Sequence, residues 1–316
     1  MGLALLPLVF IDPGDRFELW FVLLLIHAFC AATQDVAIDA LAVQAVEPAE
    51  RGRLNAAMQI GMLGGRSVFG GGAILLVGWG GWPVMFAALI LVVWASLSVL
   101  WWGITEPAFA ERAGERTSFR QTLRQVFRQR VTWWALGFAL VAGAGFEATG
   151  ALAGPMLLDQ GATGETVGWF FTLPVVLAMA VGGWFAGRWS DRGSRISRVA
   201  TLLLALTVAV GLTAIVVGSG ARPLWLLIVL GVVYLAIGAF TAVSYALFMD
   251  LTDRRLGATQ FSTYMAATNG CEAWAVAVAG GLVGSWGYGG SIGLMAGWGL
   301  VGLVFLRLAA SAQSKV

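Results

Sequence analysis

Charge is what this sequence has least of. Only 11% of its 316 residues are Asp, Glu, Lys or Arg, against about 25% in a soluble domain. Histidine occurs once and cysteine twice. Each shortage excludes something. With so few charges there is no water-facing surface for a soluble fold. A single histidine rules out most hydrolytic sites, and no Cys/His spacing suits zinc. No nucleotide-binding glycine loop and no grouping of serine, histidine and acid is present. The chain therefore reads as no enzyme, with no cofactor and no metal. The net charge of +2 excludes nucleic acid as a principal partner, which needs a concentrated basic face. Cys30 and Cys271 both lie inside apolar runs, so they are expected reduced.

What is present is apolar length. Hydrophobic residues make up 59% of the chain and its mean hydropathy is +0.83. After a half-length run over residues 1–10, nine candidate spans follow. They are residues 17–43, 54–78, 82–103, 131–158, 167–187, 197–218, 224–251, 258–284 and 290–309. Each has about 20 residues or more, enough to cross a hydrocarbon core of about 30 Å as a helix. Pro13, Pro48, Pro83, Pro107 and Pro223 fall at the boundaries, whereas Pro155 and Pro174 lie inside spans and should kink them. Tryptophans such as Trp20, Trp79, Trp101, Trp102, Trp225 and Trp286 sit near span ends, as interfacial belts require. The expectation is an all-α, multi-pass protein of the cytoplasmic (inner) membrane, working as a monomer in the lipid bilayer.

Alternating the loops puts Arg51, Arg53, residues 112–130, the cluster 188–198, Arg254, Arg255, Arg307 and Lys315 on one side, against Arg16 and Arg222 on the other. The positive-inside rule makes the first side, and the C-terminus, cytoplasmic. The longest hydrophilic stretch carries a stripe of Phe119, Leu123, Val126 and Phe127 beside Arg116, Arg120, Arg124 and Arg128. This spacing predicts a basic amphipathic helix on anionic lipid, a tether between two bundles. It divides the chain into residues 1–107, the linker 108–130 and residues 131–316.

The two parts resemble one another. Ala28, Phe29, Ala31 and Asp39 align with Ala239, Phe240, Ala242 and Asp250, 211 residues on, and Val77-Gly78 aligns with Val283-Gly284, 206 residues on. Parallel copies of a six-span unit are a transporter design with its solute site between the repeats. By this register the second half has six spans, while the first lacks two spans and part of a third. The expectation is an N-terminally truncated twelve-span protein, about nine complete spans plus a partial one, with about 80 to 100 residues missing by the repeat arithmetic.

Two six-span halves joined by a basic loop resemble the major facilitator superfamily. The segment Gly187-Arg-Trp-Ser-Asp191-Arg192-Gly-Ser-Arg195 is similar to its loop signature, with Ser194 where the signature has Gly. A narrower resemblance runs through Ala32-Thr-Gln34-Asp35-Val-Ala-Ile-Asp39-Ala, Glu50-Arg51-Gly52 and Gly257-Ala258-Thr259-Gln260-Phe261. These are similar to AmpG-type muropeptide permeases and the acetyl-coenzyme A transporter branch. Leu41 and Gln44 depart from that pattern, where a Trp and an acid are common. The resemblance implies a secondary transporter that moves a small polar solute by alternating access, with muropeptide-like cargo and proton symport. The alternatives are an acetyl-coenzyme A-type carrier or a non-transporting remnant that has lost a cavity wall.

Ionisable groups inside spans cost about 2.5–3.5 kcal/mol each unless they face water or a partner, so the few present are candidates. His27, Asp35 and Asp39 fall on the fourth span of the full plan, Arg66 on the fifth, Glu147 on the seventh, Asp250 on the tenth and Glu272 on the eleventh. The resemblance implies that the fourth, seventh and tenth spans line the central cavity. Asp35 and Asp39, four residues apart, share a helix face at about 6 Å. Two carboxylates so close resist ionising together, which makes one a candidate proton carrier; alternatively Asp39 pairs with Arg51 or Arg53. Gln34 is placed to hydrogen-bond solute, and His27 is either a titrating group or a packing residue. Glu147 lies in a small-residue stretch that leaves room for a ligand, or packs as a buried acid. Arg66 and Glu272, at matching depths, form a salt bridge or contact solute separately. Asp191, Arg192, Arg195, Asp250 and Arg254 read as cytoplasmic gating charges. The clustered glycines Gly61, Gly64, Gly65, Gly70, Gly71 and Gly72 are expected at close helix contacts.

Overall fold

A computed structural model describes residues 1–12, 14–45, 47–65, 72–103, 119–253 and 256–313. All regular structure among them is helical. In chain order the helices are α1 (Gly2–Leu5), α2 (Phe17–Ala45), α3 (Arg51–Gly65), α4 (Gly72–Gly103), α5 (Phe119–Arg128), α6 (Arg130–Val141), α7 (Ala144–Asp159), α8 (Gly164–Thr172), α9 (Pro174–Ser190), α10 (Arg195–Gly218), α11 (Pro223–Leu251) and α12 (Gly257–Gln313). A backbone that crosses lipid must satisfy its own N–H and C=O groups, and a helix does so within one segment.

The chain forms two compact units: Met1–Ala45 with Gly64–Glu115, and Val46–Leu63 with Arg116–Val316. The first has a small core in which Leu5, at the end of α1, and Leu8, from the turn after it, meet Met85, Phe86 and Ile90 of α4. Trp20 of α2 closes it, edge-on to Trp82 and Phe86 at ring distances of 5.8 and 5.7 Å. The second is a bundle in which α11 packs on α9 and α10, and α12 on α6, α7 and α10. A seam of small residues, Ala144, Ala148, Cys271, Ala275 and Ala279, lets α7 and α12 approach closely. Gly182 and Gly238 do the same for α9 and α11: a Cβ on either would overlap the backbone of the other helix. In lipid, where no hydrophobic force joins helices, such close packing supplies much of the attraction.

Seven segments among the described residues are long and apolar enough to cross a membrane: Phe17–Asp39, Trp79–Gly103, Arg130–Asp159, Gly164–Ser190, Arg195–Gly218, Pro223–Leu251 and Thr259–Gln313. The last cannot be one span, since α12 straightened would run about 85 Å. It is broken at Gly287, whose φ of 65° and ψ of 177° leave the helix. Two of the nine expected spans therefore lie within it. α4 breaks in the same way at Gly81, φ 72° and ψ −173°. The two glycines stand 206 residues apart, the offset that aligns Val77-Gly78 with Val283-Gly284. The expected span over 54–78 runs through residues 66–71, outside the described residues.

The structure bears on two expectations about helix interiors. Pro174 does interrupt its span, at the preceding Leu173 (φ −120°, ψ −60°), because the ring crowds the residue before it. α7, by contrast, runs on through Pro155, and the break in that segment falls at Ala142 and Gly143. Gly61, Gly64 and Gly65 meet no neighbour among the described residues where a Cβ would stand. Gly70 and Gly71 lie outside the described residues. The linker helix forms as α5, with Val126 buried and Arg124 and Arg128 exposed. Its C-terminal carbonyls are held by the next helix: Thr132 Oγ1 donates to Val126 O at 3.0 Å and Trp133 Nε1 to Phe127 O at 2.8 Å. Arg116 lies outside the described residues.

Candidate functional site

Two features of the second unit gather polar chemistry. The first is an interior chamber between α6, α7, α11 and α12. Glu147 lines it with Phe138, Phe146, Phe240 and Phe248, beside Thr241, Ser244, Tyr245, Thr268 and Cys271. The interruption at Ala142 and Gly143 forms part of its wall. Irregular backbone at membrane depth is tolerated where it borders a cavity or finds a partner. Here Trp274 Nε1 donates to Leu140 O at 2.8 Å, just before the interruption. The rings touch edge-on or tilted, with centroids of Phe138 and Phe240 6.2 Å apart, Phe146 and Phe240 6.0 Å, and Phe138 and Phe248 5.8 Å. The free volume is about 20 Å³, little more than one water needs.

The second is a lattice of charge where α3, α9, α10 and α11 meet. Asp250, at the C-terminal end of α11, accepts from Arg51 Nη1 at 2.7 Å and from Arg195 Nη1. Arg195 also reaches Asp191 at 2.9 Å. Asp191 in turn accepts from the backbone N–H groups of Gly52 at 2.9 Å and Arg53 at 3.2 Å. The carboxylate thus takes up donors that the first turn of α3 cannot satisfy internally, where the helix dipole favours a negative charge. Arg51 and Arg195 side chains are 5% and 8% exposed while Asp250 keeps 24%, so these are largely desolvated ion pairs. Close approach is built into the backbone, for a Cβ on Gly52 would overlap Gly187 O and Ser190 Oγ. The loop carrying Asp191 turns through Gly193 at φ 142°, and Ser194 caps α10 by accepting from Ser197 N–H. That cap gives a physical role to Ser194, the position that departs from the family signature.

The sequence candidates are divided between the two units. Asp191, Arg195 and Asp250 come together, while Arg192 is exposed beside them. Glu147 lines the chamber. Glu272 is exposed. On α2, Gln34 and Asp35 are exposed and Asp39 is buried, and His27 Nδ1 lies 3.5 Å from Met1 O. Arg66 and Arg254 lie outside the described residues. Arg51, offered as a partner for Asp39, pairs with Asp250 of α11.

Sequence reasoning passed over three residues as sites. Asn55 is buried in the lattice, its Nδ2 donating to Arg51 O at 2.8 Å. Gln260, noted only for its resemblance, is a hub: Oε1 accepts from Asp253 N–H at 2.8 Å and Nε2 donates to Tyr264 at 2.9 Å and Thr132 at 3.3 Å. Gly52 was legible as a glycine next to two arginines, though its tight contact was not. Residues 1–153 match the family model of the Major Facilitator Superfamily. Over those residues this multi-pass membrane protein is similar to a superfamily of membrane transporters.

Proposed function

We propose that this protein is a secondary transporter of the major facilitator type that carries a small polar solute across the cytoplasmic membrane by alternating access, coupled to protons. The observation that carries the reading is Glu147: a carboxylate on the wall of an interior chamber, in a span where a charge without a task is costly. The charge lattice supports the same reading. Asp250 follows the chamber-lining Ser244 and Phe240 by about 9 to 15 Å of helix, so the lattice sits towards one end of the bundle as a latch. Desolvated pairs of this kind hold when closed and are repaid by water when parted, which suits a gate. The arginine distribution puts that gate on the cytoplasmic side.

Asp35 and Asp39 serve as the proton-carrying pair of α2, with Gln34 and His27 on the same helix, and Glu147, Arg66 and Glu272 as contacts along the solute path. The AmpG-type resemblance points to sugar-peptide cargo. The test uses the full chain in liposomes with a pH dye inside and anhydromuropeptide added outside. Solute-dependent acidification of the lumen is the expected result, abolished by Asp35→Asn and by Glu147→Gln. Uptake that is normal in both variants sinks the coupling mechanism.

A further inference from the structure

The outward face of α9 joins an apolar stripe to a corner of positive charge. Leu177, Val181 and Phe185 recur every four residues along it and all are exposed. They lie opposite Gly182, Gly183 and Gly187, whose missing side chains let α9 close on α11 and α3. The stripe ends at Trp184 and at Arg188, whose guanidinium lies over the Trp184 ring, 4.1 Å from its centre. From Leu177 to Arg188 the helix rises about 16 Å, half of a hydrocarbon core of about 30 Å. The stripe thus covers the depth of one leaflet, with the arginine at its rim.

The charge at that rim has no internal counterpart. Among the described residues no carboxylate and no hydrogen-bond acceptor meets the side chain of Arg188 or of Arg192, and both are exposed. The nearby acids are engaged elsewhere: Asp191 with Arg195 and the backbone of Gly52 and Arg53, Asp250 with Arg51 and Arg195, and Glu50 with Arg53. Arg198 adds a third cation 5.0 Å from the Trp189 ring, but it donates to Ser190 O at 2.9 Å and to Arg192 O. Arg198 is therefore the strut of the corner. Arg188 and Arg192 stand one turn apart across the end of α9, where Arg192 N–H still donates to Trp189 O at 3.3 Å. A guanidinium stacked on a ring is held by its face, and the N–H fork at its edge suits a phosphate. The N-terminus of α10, which follows Arg192, adds the positive end of a helix dipole. A soluble anion would meet the arginines and leave the stripe bare. A lipid whose phosphate already has its own cation would cover the stripe and leave the arginines unpaired. An anionic lipid answers both.

We infer that this face of α9 is a binding site for an anionic phospholipid, its phosphate held between Arg188 and Arg192 and an acyl chain laid along Phe185, Val181 and Leu177. The site needs only that the segment Gly164–Ser190 spans a membrane, and is independent of what the protein carries. It is tested by native mass spectrometry of the full chain in detergent, titrated with phosphatidylglycerol, with phosphatidylcholine of the same acyl chains and inorganic phosphate as comparisons. The first phosphatidylglycerol binds at least ~fivefold more tightly than phosphatidylcholine, and inorganic phosphate does not displace it. Arg188→Gln together with Arg192→Gln loses at least ~tenfold in affinity for that first lipid. Trp184→Leu, which keeps the charge and removes the ring under Arg188, loses about two- to fivefold. Arg124→Gln together with Arg128→Gln removes the same charge from α5 and changes the affinity by less than ~twofold. Neither Arg188 nor Arg192 closes an ion pair among the described residues, so the variants fold, which unfolding midpoints without lipid check. Phosphatidylglycerol raises the midpoint of the unaltered protein and not that of the Arg188→Gln, Arg192→Gln protein. Phosphatidylcholine binding as tightly overturns the inference, leaving an apolar groove alone. An equal loss in the α5 variant overturns it in favour of diffuse attraction to basic surface. So does displacement by inorganic phosphate, or a folded Arg188→Gln, Arg192→Gln protein that binds as before.

Discussion

α2 and α11 are both 29 residues long, both strongly apolar, and both carry acids towards their C-terminal ends. Their surroundings differ completely. α2 offers Trp20, Leu23 and Leu24 to the small core of the first unit, and most of its large apolar residues, such as Phe21, Leu25 and Phe29, are exposed. α11 is more enclosed: Leu230, Val233, Ala242, Val243, Ala246 and Met249 are wholly buried among neighbouring helices, while Leu224, Trp225, Ile228 and Val232 of its first half are exposed. The acids differ in part, for Asp39 of α2 is also buried. Asp250 is bound by two arginines, whereas Asp35 stands exposed. Similar helices with similar acids thus place them differently, because neighbours decide whether a carboxylate is enclosed in ion pairs or left at the surface.

The comparison predicts its largest effect at these acids. Asp250→Asn leaves Arg51 and Arg195 buried with one carboxylate fewer, which should destabilise the protein by about 3–5 kcal/mol. Asp35→Asn should change stability by less than about 0.5 kcal/mol while removing proton coupling. Thermal unfolding of the detergent-solubilised variants measures both, and equal losses would break the contrast.

A smaller effect is expected at the glycines. Gly187→Ala drives a methyl into Gly52 O and Ala56, an overpacking worth about 1–3 kcal/mol. Gly61→Ala meets open space and, lying inside a helix, should be neutral or stabilising by up to about 1 kcal/mol. A last pair sharpens the comparison from the other side. Gly81 and Gly287 occupy equivalent places in the repeat with nearly the same backbone angles. Alanine at either should cost about 1–3 kcal/mol, because positive φ with extended ψ is open essentially to glycine alone. Similar losses at both support a shared ancestry of the two turns, and a loss at one alone argues against it.

Much of the fold was legible because lipid imposes simple rules. Apolar length predicts helices, and a repeat of Val-Gly before a turn places the two breaks, since only glycine adopts their conformation without strain. The basic amphipathic helix followed from spacing alone. What was not legible depended on interruptions without a strong signal. Ala142-Gly143 breaks a span that Pro155 does not, and the chamber opens beside that break. Gly61, Gly64 and Gly65 looked like packing positions by composition, but a small residue promotes contact only where another helix is near, and none of the described residues reaches them.

Composition determined that the chain lives in a membrane, and the scarcity of charge picked out the few residues worth asking about. Only tertiary structure could assign their work. Arg51 takes Asp250 as its partner, 199 residues away in the chain, and Glu147 meets rings from α6 and α11. The physical reason is range. Hydropathy and helix breaking act over a few residues and are written in order along the chain. Desolvation and ion pairing act over a few ångströms, between residues that only the packing of helices brings together.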